Sequence, residues 1–172
     1  MTYCEPFMNF KPVAKKCYIM ENKDGSKFTK VTIQAPTGEK YVGQSFIKAE
    51  DTDYYRPLTG YKIAENRAYI NYLKVRIKEL RYHKNILFGI LRKEDQKSSS
   101  VYSNREQRDM AHKVIELSKE IKDIKKKILD RYKLIDSIID ERWKVINKIE
   151  ARAEKNQKRQ ELVDAIRAGQ NS

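Results

Sequence analysis

The length, composition and charge of the chain limit the classes of protein to which it can belong. Of its 172 residues, 40% are hydrophobic and 35% charged, which is too apolar for a disordered chain and too charged for a large globular core. We therefore expect one domain, or a small domain with a helical extension. Lys and Arg number 37 against 24 Asp and Glu, a net charge of +13, which favours nucleic acid or an acidic protein surface as partner over a membrane.

The charge excess is concentrated in the second part of the chain. Residues 1–60 carry 9 basic and 7 acidic side chains, whereas residues 61–172 carry 28 and 17.

No stretch reaches the roughly 18 apolar residues that span a bilayer, and no long apolar run marks a signal peptide. Two cysteines, Cys4 and Cys17, do not make a disulfide framework. We expect a reduced, cytoplasmic protein with no membrane partner.

The N-terminal part predicts a small antiparallel β-meander. Three strand-like runs cover residues 15–20, 27–35 and 40–47. Gly25 and Gly38 lie in the two turn sequences between them. In the second run Val31, Ile33 and Ala35 share one face, so the sheet is exposed on the other. A three-stranded sheet is only marginally stable alone, so a helix must cover it.

A linker and a helix follow the sheet. We assign residues 48–60 to the linker, whose acidic residues and tyrosines either bind a partner or keep a loop in water. The first helix is predicted over residues 62–94, because apolar side chains recur at coiled-coil spacing. These side chains are Ile70, Leu73, Ile77, Leu80, Leu87 and Leu91.

A second, longer helix begins after a polar break at 97–103. Ser103 or Asn104 can cap it, with Glu106 near the capping-box position. Its apolar stripe, which slips by one position after Ile128, comprises Met110, Val114, Leu117, Ile121, Ile124, Ile128, Tyr132, Ile135, Ile139, Trp143, Ile146 and Ile149. Leu162 and its neighbours indicate a short helix within 153–172. Whether the second helix continues through 155–160 is open.

A short break between two such helices predicts an antiparallel hairpin. With the turn centred near residue 100, position i of the first helix faces about 200 minus i of the second. The first helix then ends before the apolar stripe of the second does. We predict that Trp143 and its neighbours pack under the sheet. The alternative partner is a second copy of the chain, as a homodimer.

The sequence thus predicts an α+β fold, in which a small N-terminal antiparallel β-meander packs on a long antiparallel coiled-coil helical hairpin. We divide it into a β domain with linker (1–60), the helical hairpin (61–152) and a basic C-terminal segment with a short helix (153–172).

One flank of the predicted hairpin carries basic residues without intervening acids. The outermost stripe of the second helix alternates in sign and so neutralises itself. The flank beside the seam, in contrast, offers Arg67, Lys74, Lys78 and Arg81 on the first helix and Lys122 and Lys125 on the second. These six residues form our candidate groove for phosphate backbone or acidic side chains. Alternatively, their long side chains extend into water and bind nothing.

Catalytic and cofactor signatures are missing from the sequence. His83 and His112 are the only histidines, and no cysteine or acidic cluster has metal-ligand spacing around them. No phosphate-binding glycine loop or nucleophile elbow is present. Aromatic residues of the first helix do not line up with the basic flank, which disfavours base stacking there. We expect a protein that is not an enzyme and has no cofactor or metal.

The stretch 27–80, with a short hairpin, an acidic linker and "TGYKIAENRAYI" opening a helix, resembles small accessory proteins of phages and prophages of Gram-positive bacteria. This resemblance implies a mobile-element context, and therefore the host cytoplasm, but no activity. Small non-enzymatic proteins there often disable host machinery, including CRISPR nucleases, or assist phage DNA metabolism. The positive charge departs from the acidic nucleic-acid mimics among such inhibitors.

Three functions remain open. The first is a non-catalytic phage-type binding protein that docks on a host protein or protein–RNA complex, such as an inhibitor of a CRISPR nuclease. The second is a sequence-independent nucleic-acid-binding protein of phage DNA metabolism. The third is a structural coiled-coil or oligomerisation module, in which charge only maintains solubility.

Overall fold

The computed structural model describes residues 12–47, 54, 56–95 and 102–170. Residues 167–170 are described by their backbone only. Three strands and two helices lie in these ranges: β1 (Ala14–Glu21), β2 (Lys27–Gln34), β3 (Lys40–Ile47), α1 (Pro57–Glu94) and α2 (Asn104–Gln170). The chain divides into two compact units, Met1–Leu134 and Ile135–Ser172. The predicted α+β fold is confirmed, since an antiparallel sheet packs on a pair of long helices.

The sheet is the predicted meander, with strand order β1-β2-β3 and both pairs antiparallel. Its two turns need glycine, because Gly25 has a φ of 80° and Gly38 a φ of 94°, a region that side chains with a Cβ rarely adopt. The carboxylate of Asp24 accepts hydrogen bonds from the backbone amide and the hydroxyl of Ser26. Asp24 thereby supports the first turn.

The first turns of α1 cover the inner face of the sheet. Val31 and Ile33 of β2 are 0% exposed and cluster with Ala64, Ala68 and Tyr72 of α1. A Cβ on Gly43 of β3 would overlap the backbone of Ala64 and Ala68, so glycine permits this close approach of helix and strand. Small residues therefore bring α1 down onto the sheet.

The predicted linker 48–60 extends too far, because α1 begins at Pro57. Proline suits the first helical position, because a backbone N–H there would have no partner within the helix. The acidic residues of this linker lie outside the described residues. The same holds for Cys4, whereas Cys17 is a free thiol.

The two helices form the predicted antiparallel hairpin. A capping box opens α2: Ser103 Oγ accepts from the amide of Glu106, and the Glu106 carboxylate accepts from the amide of Ser103. The seam buries five apolar side chains, namely Ile77 and Leu80 of α1 and Leu117, Ile121 and Ile124 of α2.

Polar contacts across the seam give its register. Arg131 donates to Asn66, and Arg76 pairs with Glu120. The residue numbers of the two contacting pairs sum to 197 and 196. The predicted register, in which position i faces about 200 minus i, required a sum of about 200.

Helix α2 continues through residues 155–160 to Gln170, so the helix expected around Leu162 is its last part. The prediction that Trp143 is buried is wrong, because its side chain is 49% exposed. The inner face of the sheet is covered by α1 instead.

Candidate functional site

The confirmed seam divides the first unit's helical hairpin into two long edges. Residues just after each seam position on α1 and α2 form one edge, and those just before form the other. We call the first the basic edge and define it by the six predicted residues, Arg67, Lys74, Lys78, Arg81, Lys122 and Lys125.

Five of these six residues have exposed side chains, and the structure brings them to one edge. Lys74, Lys78 and Arg81 lie along α1. The register places Lys122 and Lys125 of α2 level with residues 75 and 72 of α1, beside Lys74. Cationic groups from both helices therefore lie side by side.

Arg67 has a different environment from the rest of the basic edge. Its side chain is half-buried, and its guanidinium donates a 2.6 Å hydrogen bond to the carbonyl oxygen of Gln44. The side-chain amide of Asn71 donates likewise to Val42, at 2.8 Å. Because β3 is an edge strand, these bonds satisfy carbonyls that no neighbouring strand can reach. Arg67 thus joins α1 to the sheet.

The remaining cations of the basic edge form no ion pair with a carboxylate of the described residues. Lys74 donates to the Tyr132 hydroxyl at 3.0 Å, with its ammonium 5.7 Å from the centre of that ring. Within the part of the chain that the structure describes, no ion pair joins Lys78, Arg81, Lys122 or Lys125 to a carboxylate. Uncharged residues lie among these cations on the same edge, namely Asn71 and Asn85 of α1 and Ser118, Leu129 and Tyr132 of α2.

The opposite edge carries the carboxylates, and we call it the acidic edge. It comprises Glu65 and Glu79 of α1 and Glu116, Glu120 and Asp123 of α2. Arg76 reaches Glu79 at 3.1 Å and Glu120 at 3.7 Å, Lys113 reaches Glu116 at 2.9 Å, and Lys15 of β1 pairs with Glu65. This edge neutralises itself with local partners.

Two tyrosines near the acidic edge have raised pKa values, mainly because they are partly or fully buried. Burial, with Glu39 and Glu79 nearby, raises the pKa of Tyr41 to about 12. Burial also raises the pKa of Tyr72, and Glu79 acts in the same direction. Negative charge on this side disfavours a phenolate.

Neither a metal centre nor a membrane span is evident in the described ranges. No group of three or more His, Cys, Asp and Glu residues there could hold a metal ion. Both histidines are exposed. No helix within those ranges is sufficiently long and apolar to cross a bilayer.

Comparison with protein-family models, curated proteins and solved structures gives no match for this chain. The function must therefore be inferred from the arrangement of its own side chains.

Sequence reasoning identified the basic edge but missed the outer face of the sheet. That face, opposite α1, presents Tyr18, Met20 and Phe46 to solvent. The alternation in β2 contains the signal, because Phe28 and Lys30 lie on the face opposite Val31.

Proposed function

We propose that this protein is a non-catalytic binding protein whose basic edge binds the phosphate backbone of a nucleic acid without sequence preference. The observation that supports the proposal is a row of exposed cations from two helices with no carboxylate among them. Like charges at such spacing cost a few tenths of a kcal/mol per pair. A bound polyanion removes that cost and releases counterions.

The dimensions of the edge fit this partner. From Lys74 to Arg81, α1 rises about 10 Å, and duplex DNA carries one phosphate charge per about 1.7 Å. Several phosphates therefore fall within reach of the edge. Contacts of this kind position a protein on nucleic acid but read no bases, and lysine and arginine side chains suit them.

The same phosphate chemistry is offered by free nucleic acid and by a guide RNA held in a nucleoprotein machine. In the second case the protein docks on a host complex, such as a CRISPR nuclease, and blocks it. The resemblance of residues 27–80 to phage accessory proteins favours this source. With either partner, we expect the protein to act in the host cytoplasm, as the resemblance implies.

The test compares two triple variants that change the net charge equally. One variant replaces Lys78, Arg81 and Lys122 of the basic edge by Gln. The matched control replaces Lys119, Lys126 and Lys133, which are exposed on the outer stripe of α2. Fluorescence anisotropy measures binding to a labelled mixed-sequence duplex over a salt series. The basic-edge variant should reduce the slope of log K against log salt by about 0.9 for each phosphate that it no longer neutralises, and the control should change the slope little.

Two results would overturn the proposal: no binding of the duplex at low salt, or equal losses for both triple variants. A nuclease cleavage assay with saturating protein separates the sources, because docking requires slower cleavage that the basic-edge variant relieves. If light scattering shows self-association and no nucleic acid binds, the structural-module function replaces this one.

A further inference from the structure

The outer face of the sheet carries an exposed aromatic cluster. The register aligns Met20, Phe28 and Phe46 in one row across β1, β2 and β3, and places Tyr18 in the next row. The rings of Phe28 and Phe46 stack with centroids 5.5 Å apart. Phe46 is 62% exposed, Tyr18 49% and Met20 47%. A contiguous apolar patch of this kind on a protein surface indicates an interaction site.

Lysines continue from this cluster along the same face, towards one end of the sheet. Lys30 lies beside Tyr18 in the register, and Lys16 and Lys40 lie in the rows further along the strands. The outward-facing strand positions in the described sheet contain no Asp or Glu. The face therefore combines aromatic rings with unopposed positive charge.

This combination selects the occupant. A second copy of the chain would bring its own lysines to the interface, where like charges repel. A neutral protein partner would leave the lysines without counter-charges. Single-stranded nucleic acid satisfies both features, because its bases stack on aromatic rings while its phosphates pair with lysines.

We propose that the outer face of the sheet binds single-stranded nucleic acid by stacking unpaired bases on Tyr18 and Phe46. These residues lie on the two edge strands, about 10 Å apart because two strand spacings separate them, so they hold different bases. A duplex keeps its bases stacked inside and cannot use this face. The inference deepens the proposed function, since it adds strand selectivity to backbone binding.

The test measures anisotropy of a labelled oligothymidylate and of a labelled mixed-sequence duplex. The variant combines Tyr18→Ala with Phe46→Ala and leaves the half-buried Phe28 in place. The matched control is Tyr82→Ala, an aromatic residue of α1 that is 65% exposed. The double variant should lose oligothymidylate affinity by about tenfold or more and keep its duplex affinity. The control should keep both affinities. Phe46→Trp, which keeps an aromatic ring at this position, should keep single-strand binding.

Unchanged oligothymidylate binding by the double variant would overturn the inference, as would equal losses for single strand and duplex. Conversion of a dimer to a monomer with unchanged binding would assign the face to self-association instead. The proposed function fails separately: the basic-edge triple variant then binds duplex as well as its control does, while the sheet variant still loses the single strand. Thermal unfolding followed by circular dichroism checks that each variant is folded.

Discussion

The two edges of the helical hairpin have the same architecture but opposite charge arrangements. On the acidic edge, Glu120 and Glu79 both pair with Arg76, and Lys113 pairs with Glu116. On the basic edge, Lys78, Arg81 and Lys122 have no such partner within the described residues. Helix stability does not require this difference, because both edges flank the same buried seam. A charged edge without local partners is what the proposed binding of an external anion requires.

The largest effect should come from breaking the seam that both edges share. Leu80 is buried against Leu117 and Ile121 of α2, so Leu80→Ala should lower the free energy of unfolding by about 2–5 kcal/mol. Urea denaturation measures this loss. Ile115→Ala, at an exposed position of α2, should stay within about 0.5 kcal/mol of the parent. Similar values for both variants would contradict the seam.

A smaller effect is expected at the end of the seam nearest the sheet. Asn66 accepts a 2.7 Å hydrogen bond from Arg131, which also lies 4.2 Å from the Tyr69 ring centre. Burial lowers the pKa of Arg131, but a guanidinium stays charged in a protein. Its desolvated charge is therefore stabilised by these partners. Asn66→Ala should cost about 1–3 kcal/mol of unfolding free energy. The exposed Asn85→Ala serves as control, and an equal effect there would argue against the Arg131 contact.

Single charge removals sharpen the comparison of the two edges. Glu120→Gln removes the cross-hairpin ion pair with Arg76 and should destabilise the protein by about 0.2–1 kcal/mol at low salt. Lys122→Gln on the basic edge should be neutral or stabilise by a few tenths of a kcal/mol, because it relieves repulsion. Thermal unfolding at low and high salt measures both, and added salt should reduce each difference. Destabilisation by Lys122→Gln equal to that by Glu120→Gln would show that the edges are alike.

The smallest expected effect is a pH dependence that reports the burial of Tyr41. The pKa of Tyr41 is raised from 10.0 to about 12 by burial first and by Glu39 second. The folded state therefore holds this proton more tightly than the unfolded state. The contribution of the protonated Tyr41 to the stability of the folded state is complete below pH 10 and is lost as the pH rises towards 12. Tyr41→Phe should flatten the fall of stability in this window, as measured by denaturation at several pH values. An unchanged slope would show that another group causes it.

Local signals in the sequence predicted most of the fold. Strand-like runs bounded by turn signals located the three strands, with clear alternation in β2. Gly25 and Gly38 marked the turns, and Ser103 with Glu106 marked the start of α2. Apolar residues at heptad spacing on either side of a short polar break predicted the hairpin, and the position of the turn near residue 100 predicted its register. The cations of the basic edge followed from the same periodicity, although their binding role stays a prediction.

Other features could not be derived in this way. Ala64 and Ala68 give little hydrophobic signal, so the covering of the sheet by α1 was not anticipated, and Trp143 was assigned that role instead. The early start of α1 at Pro57 was missed for a related reason, because its first turns carry few large apolar residues. Arg67 was grouped with the other cations, although its guanidinium contacts the edge of β3.

By itself, the sequence determined the three strands, the seam between the helices and the row of cations beside that seam, because periodic patterns act through neighbours along the chain. Only the tertiary structure decided what covers the sheet, because that choice depends on how closely two backbones can approach at Gly43. It also decided which cations are engaged and which aromatic residues are exposed, since both follow from contacts between residues far apart in sequence.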